Sequence, residues 1–175
     1  MKEDFIKPML VLTLICLVVS GALAFTNSVT EPMITEAAVA RTEAAMFEVM
    51  PLAEGFEQVT IDELPDSVRE VHKSINNVGY IFILNTTGYG GDIVLLCAIG
   101  VDGRIIRCKT LEHSETKGLG SRVAEKQFED QFAGANGKLE GVETITGATI
   151  SSSAYISAVK DALSVIFFGT DVAGG

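Results

Sequence analysis

A chain of 175 residues holds one domain of ordinary size plus a short appendage. With 13 Lys and Arg against 23 Asp and Glu, its net charge of −10 gives a surface that repels nucleic acid and anionic lipid head groups. Hydrophobic residues still make up 47% of the chain, which suits an acidic protein only if they are concentrated in one segment.

They are. Between Pro8 and Ser28 there is no charged residue. A helix of that length spans roughly 30 Å, about one hydrocarbon core. Lys2 and Lys7 precede the run, partly offset by Glu3 and Asp4, and Glu31 and Glu36 follow it. The positive flank favours a cytoplasmic N-terminus, so that everything from Glu31 onward lies outside the cytoplasm. A cleaved signal peptide is the alternative, since Ala22-Leu23-Ala24 resembles a small-residue cleavage site; the run is longer than a signal core, and a retained anchor is expected. Cys16 follows Ile15, where lipid attachment calls for a small residue.

Residues 31–50 predict a juxtamembrane helix ended by Pro51. The stretch 52–77 is mixed, with turn signals at Leu64-Pro65-Asp66 and Asn76-Asn77. Strand-like runs come next at 79–85, 92–101 and 104–111, the last two joined by Asp102-Gly103, a strong two-residue hairpin signal. That turn places Cys97 opposite Cys108, on one face, in the hydrogen-bonded type of pair. A disulfide there is possible but strained. Packing of two small apolar side chains is the preferred reading.

After a glycine-containing loop at 113–120, residues 121–133 predict an amphipathic helix with Val123, Ala124, Phe128 and Phe132 inward. The last helix begins near Thr149 and runs to about Phe168, its apolar side formed by Ala154, Ala158, Val159, Ala162, Leu163, Ile166 and Phe167. The expected fold class is α+β: one N-terminal transmembrane helix, then a mostly antiparallel sheet with packed helices. The expected division is 1–30 for the cytoplasmic N-terminus and anchor, 31–78 for a juxtamembrane helix and connecting region, and 79–175 for the binding domain.

The segment Glu143–Ser153 carries the most chemistry. Gly147 permits a tight turn, and Thr149 stands where a helix begins, at the N-cap or just inside. Free N–H groups and the helix dipole at such an end stabilise a phosphate, and Ser151, Ser152 and Ser153 add hydroxyls. From the residues alone, a capped helix start with no ligand is the commoner alternative. No C-x-x-C, iron–sulfur or haem spacing occurs, His72 and His113 are far apart, and no G-x-G-x-x-G follows a strand. No metal site and no nicotinamide site are therefore expected.

The tetrad Thr146-Gly147-Ala148-Thr149 resembles the S/T-G-A-T motif of covalently flavinylated proteins. That family includes the G subunits of Rnf electron-transport complexes and the C subunits of sodium-translocating NADH:quinone reductases. His113–Gly120 is similar to the family's H-x-E-T-P-G-L-G loop, Tyr89-Gly90-Gly91-Asp92-Ile93 to its G-Y-x-G-x-I segment, and Gln131-Phe132-Ala133-Gly134 to its Q-F-x-G. All occur in the family's order behind one N-terminal anchor, and the chain's length favours the Rnf G subunit. The resemblance implies FMN bound to Thr149 through a phosphoester, installed by a flavin transferase. It implies that Thr146, Gly147, Ala148, Glu115, Thr116, Gly118, Leu119 and Tyr89 contribute to the cofactor site. Glu115 and Thr116 would meet polar ring edges, and Leu119 a ring face. Two departures stand out: Glu143 replaces the usual Asp six residues before Thr149, and Lys117 replaces the Pro of the loop.

The implied protein is an electron-transfer subunit of a membrane complex that couples ferredoxin oxidation and NAD reduction to sodium or proton transport. Its partners would be the other membrane subunits, the flavin transferase and membrane lipid, with no nucleic acid. A stand-alone anchored flavoprotein shuttle is the first alternative. A non-redox anchored domain whose T-G-A-T only caps a helix is the second.

Overall fold

The computed structural model describes residues 2–61 and 63–169. The side chains of Lys2, Glu3, Asp4, Lys7 and Phe167, invoked above for orientation and for the last helix, lie outside the described residues. The chain divides into two units, Met1–Thr42 and Glu43–Gly175. In the first, helix α1 (Lys2–Val49) carries the uncharged run, and its Leu14, Leu17 and Leu23 are exposed. By length and composition this helix can cross a membrane.

The second unit is built on five antiparallel strands in the order β1-β2-β3-β4-β5: β1 (Phe56–Val59), β2 (Val68–Ser74), β3 (Gly79–Thr87), β4 (Asp92–Gly100) and β5 (Ile105–His113). Helices lie on it, and the fold is α+β. Ile81 to Leu84 of β3 and Leu95 to Ile99 of β4 are buried without interruption, because both faces of these central strands are covered. One face carries α3 (Thr149–Gly169), through Tyr155, Ala158, Val159, Ala162 and Leu163. The other carries the end of α1 and the turn after it: Ala45, Met46, Val49, Met50 and Ala53 pack on Ile81, Ile83, Leu96 and Ala98. Full burial of each large aliphatic side chain contributes about 1.5–3 kcal/mol.

Three elements differ from the sequence-based expectation. Strands β1 and β2 occupy part of the stretch 52–77. In β2 the buried Val68 and Val71 are three apart, because a register shift between Val68 and Glu70 breaks the alternation of two. The predicted helix over 121–133 is instead a 3-10 turn (Gly120–Ala124), a single helical turn α2 (Lys126–Glu129) and a second 3-10 turn (Asp130–Phe132). Glu125 is extended, with φ −79° and ψ 137°, and interrupts the helix. Val123, Phe128 and Phe132 still point into the core, where Phe128 meets Phe132 and Tyr155 edge to face and the three ring centroids are 5.3–5.4 Å apart.

The third difference is the hairpin. The Gly103 N–H donates to the Gly100 carbonyl at 2.9 Å and the Gly100 N–H to the Arg104 carbonyl at 2.8 Å, so the loop is Val101-Asp102-Gly103, with Gly103 at φ +74°. A bulge at Ile106 then adds one residue to β5 and restores the pairing of Cys97 with Cys108. The pairing is as expected, but its type is not. The Ile105 N–H donates outward to Ala135, and the Thr110 N–H outward to the Glu129 carboxylate at 2.6 Å. Register is unbroken from Leu95↔Thr110 to Cys97↔Cys108. Cys108, two residues from Thr110, therefore also turns its ladder groups outward, and the cysteines form a non-hydrogen-bonded pair.

Candidate functional site

Three segments converge at one end of the sheet. The first is the turn Ile145–Ala148, closed by the Ala148 N–H on the Ile145 carbonyl at 2.9 Å, with Gly147 at φ +85° as a type II turn requires. The Ser152 N–H donates to the Ala148 carbonyl at 3.0 Å, which makes Ala148 the N-cap and Thr149 the first helical residue. Alanine has no side-chain acceptor for the free N–H groups of the first turn. Those groups and the dipole of a 21-residue helix are left facing outward around the exposed Thr149.

Ser152 fixes this turn. Its hydroxyl is fully buried, accepts the Ile145 N–H at 3.1 Å and donates to the Ala148 carbonyl at 2.8 Å. Ser151, also buried, accepts the Tyr89 N–H at 3.4 Å and so ties the second segment, the β3–β4 connection, to the first turn of α3.

The third segment is the loop after β5. Glu115 is 8% exposed, and its Oε1 accepts the Gly90 N–H at 3.2 Å. Glycine makes room for this carboxylate on two sides. A Cβ on Gly88 would stand 1.9 Å from Oε1, and one on Gly120 would stand 1.9 Å from Oε2.

Together they enclose a cavity of about 500 Å³, within the range of small-molecule and cofactor sites. Of the residues singled out from sequence, Thr149, Ala148 and Gly147 line one wall, and Tyr89, Glu115, Thr116 and Leu119 line the others. Gly120, Ile150 and Ser151 complete it. Thr146 lines a neighbouring cavity of about 420 Å³ with Arg122, Gln131 and Glu143, on the far side of the turn. There the Arg122 guanidinium donates to the Thr146 carbonyl at 3.4 Å, and Gln131 Oε1 accepts the Glu143 N–H at 2.9 Å. Gly118 lines neither; its N–H donates to the Ser121 hydroxyl at 2.9 Å, and its φ of +80° shapes the loop. Lys117 is exposed and outside both cavities. His113 Nδ1 accepts the Glu115 N–H at 3.3 Å.

Tyr89, Leu119 and Ile150 are 76%, 54% and 59% exposed. Three large apolar side chains at the mouth of a cavity with an anion-binding helix end suit a ligand that is both flat and phosphorylated.

Residues 88–164 match the family model of the FMN-binding domain, and that segment contains every residue around both cavities. Relatives cover nearly the full length. The G subunit of the ion-translocating oxidoreductase complex of Methanosarcina acetivorans is 31% identical over 94% of this chain and 96% of its own. The G subunit of the Na(+)-translocating ferredoxin:NAD(+) oxidoreductase complex of Acetobacterium woodii is 33% identical over 89% and 88%. The proton-translocating counterpart of Clostridium ljungdahlii is 27% identical over 87% and 86%. The chain belongs to the G-subunit family of ion-translocating, Rnf-type oxidoreductase complexes.

As a G subunit, the protein is an electron-transport component with an FMN-binding domain. Its apolar helix and its relatives in ion-translocating complexes support a single-pass membrane protein.

Sequence reasoning passed over the roles of Ser152, Gly88 and Gly120. The run Ser151–Ser153 at a helix start was visible, but which serine faces inward depends on the helix phase. The glycines become meaningful only once Glu115 is known to lie between them.

Proposed function

We propose that this G subunit carries electrons on FMN fixed covalently through a phosphoester to Thr149. The complex it serves would be a ferredoxin:NAD oxidoreductase that moves sodium ions or protons, and the sheet domain would stand on the extracytoplasmic side of the membrane. The observation that carries this reading is the exposed Thr149 hydroxyl at an N-terminus whose cap residue is alanine, on the wall of a 500 Å³ cavity. A bound flavin supplies one- and two-electron chemistry. The chain's own part is to hold and tune it. The first N–H groups of α3 stabilise the phosphate charge. Tyr89, Leu119 and Ile150 offer apolar surface to the ring, and Glu115 and Thr116 offer hydrogen-bonding groups to its polar edges.

Covalent attachment suits a domain outside the cytoplasm, where a dissociated cofactor is lost by dilution; a bond replaces affinity with permanent local concentration. Lys2 and Lys7 on the N-terminal flank support that sidedness. Maturation then requires a flavin transferase. Glu143, exposed in the cavity next to the turn, is suited to meet it.

Protein made with its transferase is expected to give a flavin-fluorescent band on a denaturing gel, absent in Thr149→Val. A band that persists in that variant moves the attachment elsewhere. Mild detergent should recover the protein with several multi-span partners, and recovery of it alone from its native membrane contradicts the complex. Protease added to intact cells without an outer barrier should cut the sheet domain; protection would reverse the sidedness.

A further inference from the structure

The two buried cysteines stand apart from the flavin cavity. Cys97 on β4 and Cys108 on β5 are directly paired, 0% and 1% exposed, and both are free thiols with sulfurs 3.5 Å apart. The bulge at Ile106 puts them in the non-hydrogen-bonded type of cross-strand site. In that type the backbones approach to about 4.5 Å and the Cβ atoms come closest, which suits disulfide geometry. With a two-residue turn and no bulge the same two residues would occupy the wider type, where a bridge is strained.

We propose that Cys97 and Cys108 are a disulfide site: a dithiol that closes without strain and locks the β4–β5 hairpin beneath α3. The chemistry is thiol–disulfide exchange with a small-molecule or protein disulfide. The Cys97 or Cys108 thiolate attacks the oxidant's sulfur and expels one thiol. The second cysteine then attacks the mixed disulfide and expels the other. The two protein thiols give up two protons and two electrons, and one oxidant disulfide becomes two thiols.

Burial shapes when this happens. It raises the Cys108 pKa well above the usual thiol value, with the neighbouring Cys97 adding to the effect, so Cys108 is held as a thiol, and burial of both sulfurs keeps exchange slow. Exchange is fast only before α3 covers the face, or when the edge strand β5 opens. The bridge is thus set during folding, in a compartment whose disulfide poise allows it. This inference does not rest on the flavin assignment.

The test uses the full-length chain with Cys16→Ser, purified in detergent. One sample is incubated natively with oxidised glutathione, and another is unfolded in urea and refolded in the same buffer. Trypsin cuts after Arg104, Arg107 and Lys109, so Cys108 leaves as a dipeptide unless it is bonded to the Cys97 peptide. The linked peptide is expected in the refolded sample. The bridged protein is expected to melt several degrees above the reduced protein by near-ultraviolet circular dichroism, as a cross-link that shortens the unfolded chain without native strain should. No linked peptide in either sample overturns the proposal. So does a bridged form that melts at or below the reduced one, since two cysteines eleven residues apart can join in any flexible chain and only an unstrained native site makes the bond stabilising.

Discussion

The Ile145 N–H donates to the Ser152 hydroxyl at 3.1 Å, so the turn that presents Thr149 is held by a side chain from the helix it introduces. The same hydroxyl donates to the Ala148 carbonyl. The geometry around Thr149 is therefore set by α3 itself and not by the loop before it.

Ser152→Ala leaves the buried Ile145 N–H without an acceptor. The expected loss is about 1–3 kcal/mol in urea unfolding. Flavin attachment should also slow at temperatures where the variant remains folded, read as fluorescence gained per unit time with the transferase in excess. Ser153→Ala, at an exposed position, should change neither.

Gly120→Ala drives a methyl group into the Glu115 carboxylate. The cost should be about 1–3 kcal/mol as an overpacking change. In a Glu115→Ser background most of that cost should vanish, because the clashing atoms are gone. A double-mutant cycle reads this directly, and additive effects would show that the two positions do not meet.

The hairpin at 101–103 shows how far the sequence could be read. Asp102-Gly103 marked the turn, and the cysteine pairing was legible. The identity of the turn and the bulge at Ile106 were not, because two one-residue irregularities cancel in the register and leave the pairing unchanged. Only the pair type betrays them. In β2, bulging set Val68 and Val71 three apart and removed the alternation that marks a strand. In 121–133, Val123, Ala124, Phe128 and Phe132 have the spacing of a helix face, but an extended Glu125 delivers Val123, Phe128 and Phe132 inward without one and leaves Ala124 half-buried. At the site, motif order drew attention to residues that share a cavity, whereas the packing of Glu115 among glycines is a three-dimensional fact with no local signature.

Glu129 gives a pH signature. Burial raises its pKa above the ordinary carboxylate value, against the lowering effect of its hydrogen bond from Thr110. The folded state therefore holds this proton more tightly than the unfolded chain. Its contribution is fully present below the unfolded pKa and is lost as pH rises through the folded value. Glu129→Gln keeps an acceptor for Thr110 and cannot ionise. Its stability relative to the wild type should rise as pH increases from about 4 toward neutrality, measured by urea unfolding at each pH. A pH-independent difference would mean that Glu129 titrates as it does in the unfolded chain.

The end of α1 belongs to the sheet domain's second core. Met46→Ala should cost about 2–5 kcal/mol, as a buried large-to-small change does. A chain begun at Glu43 should fold, and one begun at Phe56 should expose the apolar face of Ile81, Ile83 and Leu96 and aggregate.

The most direct test of the account is the mass of the peptide that contains Thr149. Trypsin releases residues 139–160 from protein matured with its flavin transferase. Fragment ions must separate Thr149 from Thr144, Thr146 and Ser151–Ser153. The account predicts the mass of FMN less one water on Thr149. An unmodified Thr149 in protein matured this way, or the same added mass on any neighbouring hydroxyl, would contradict it.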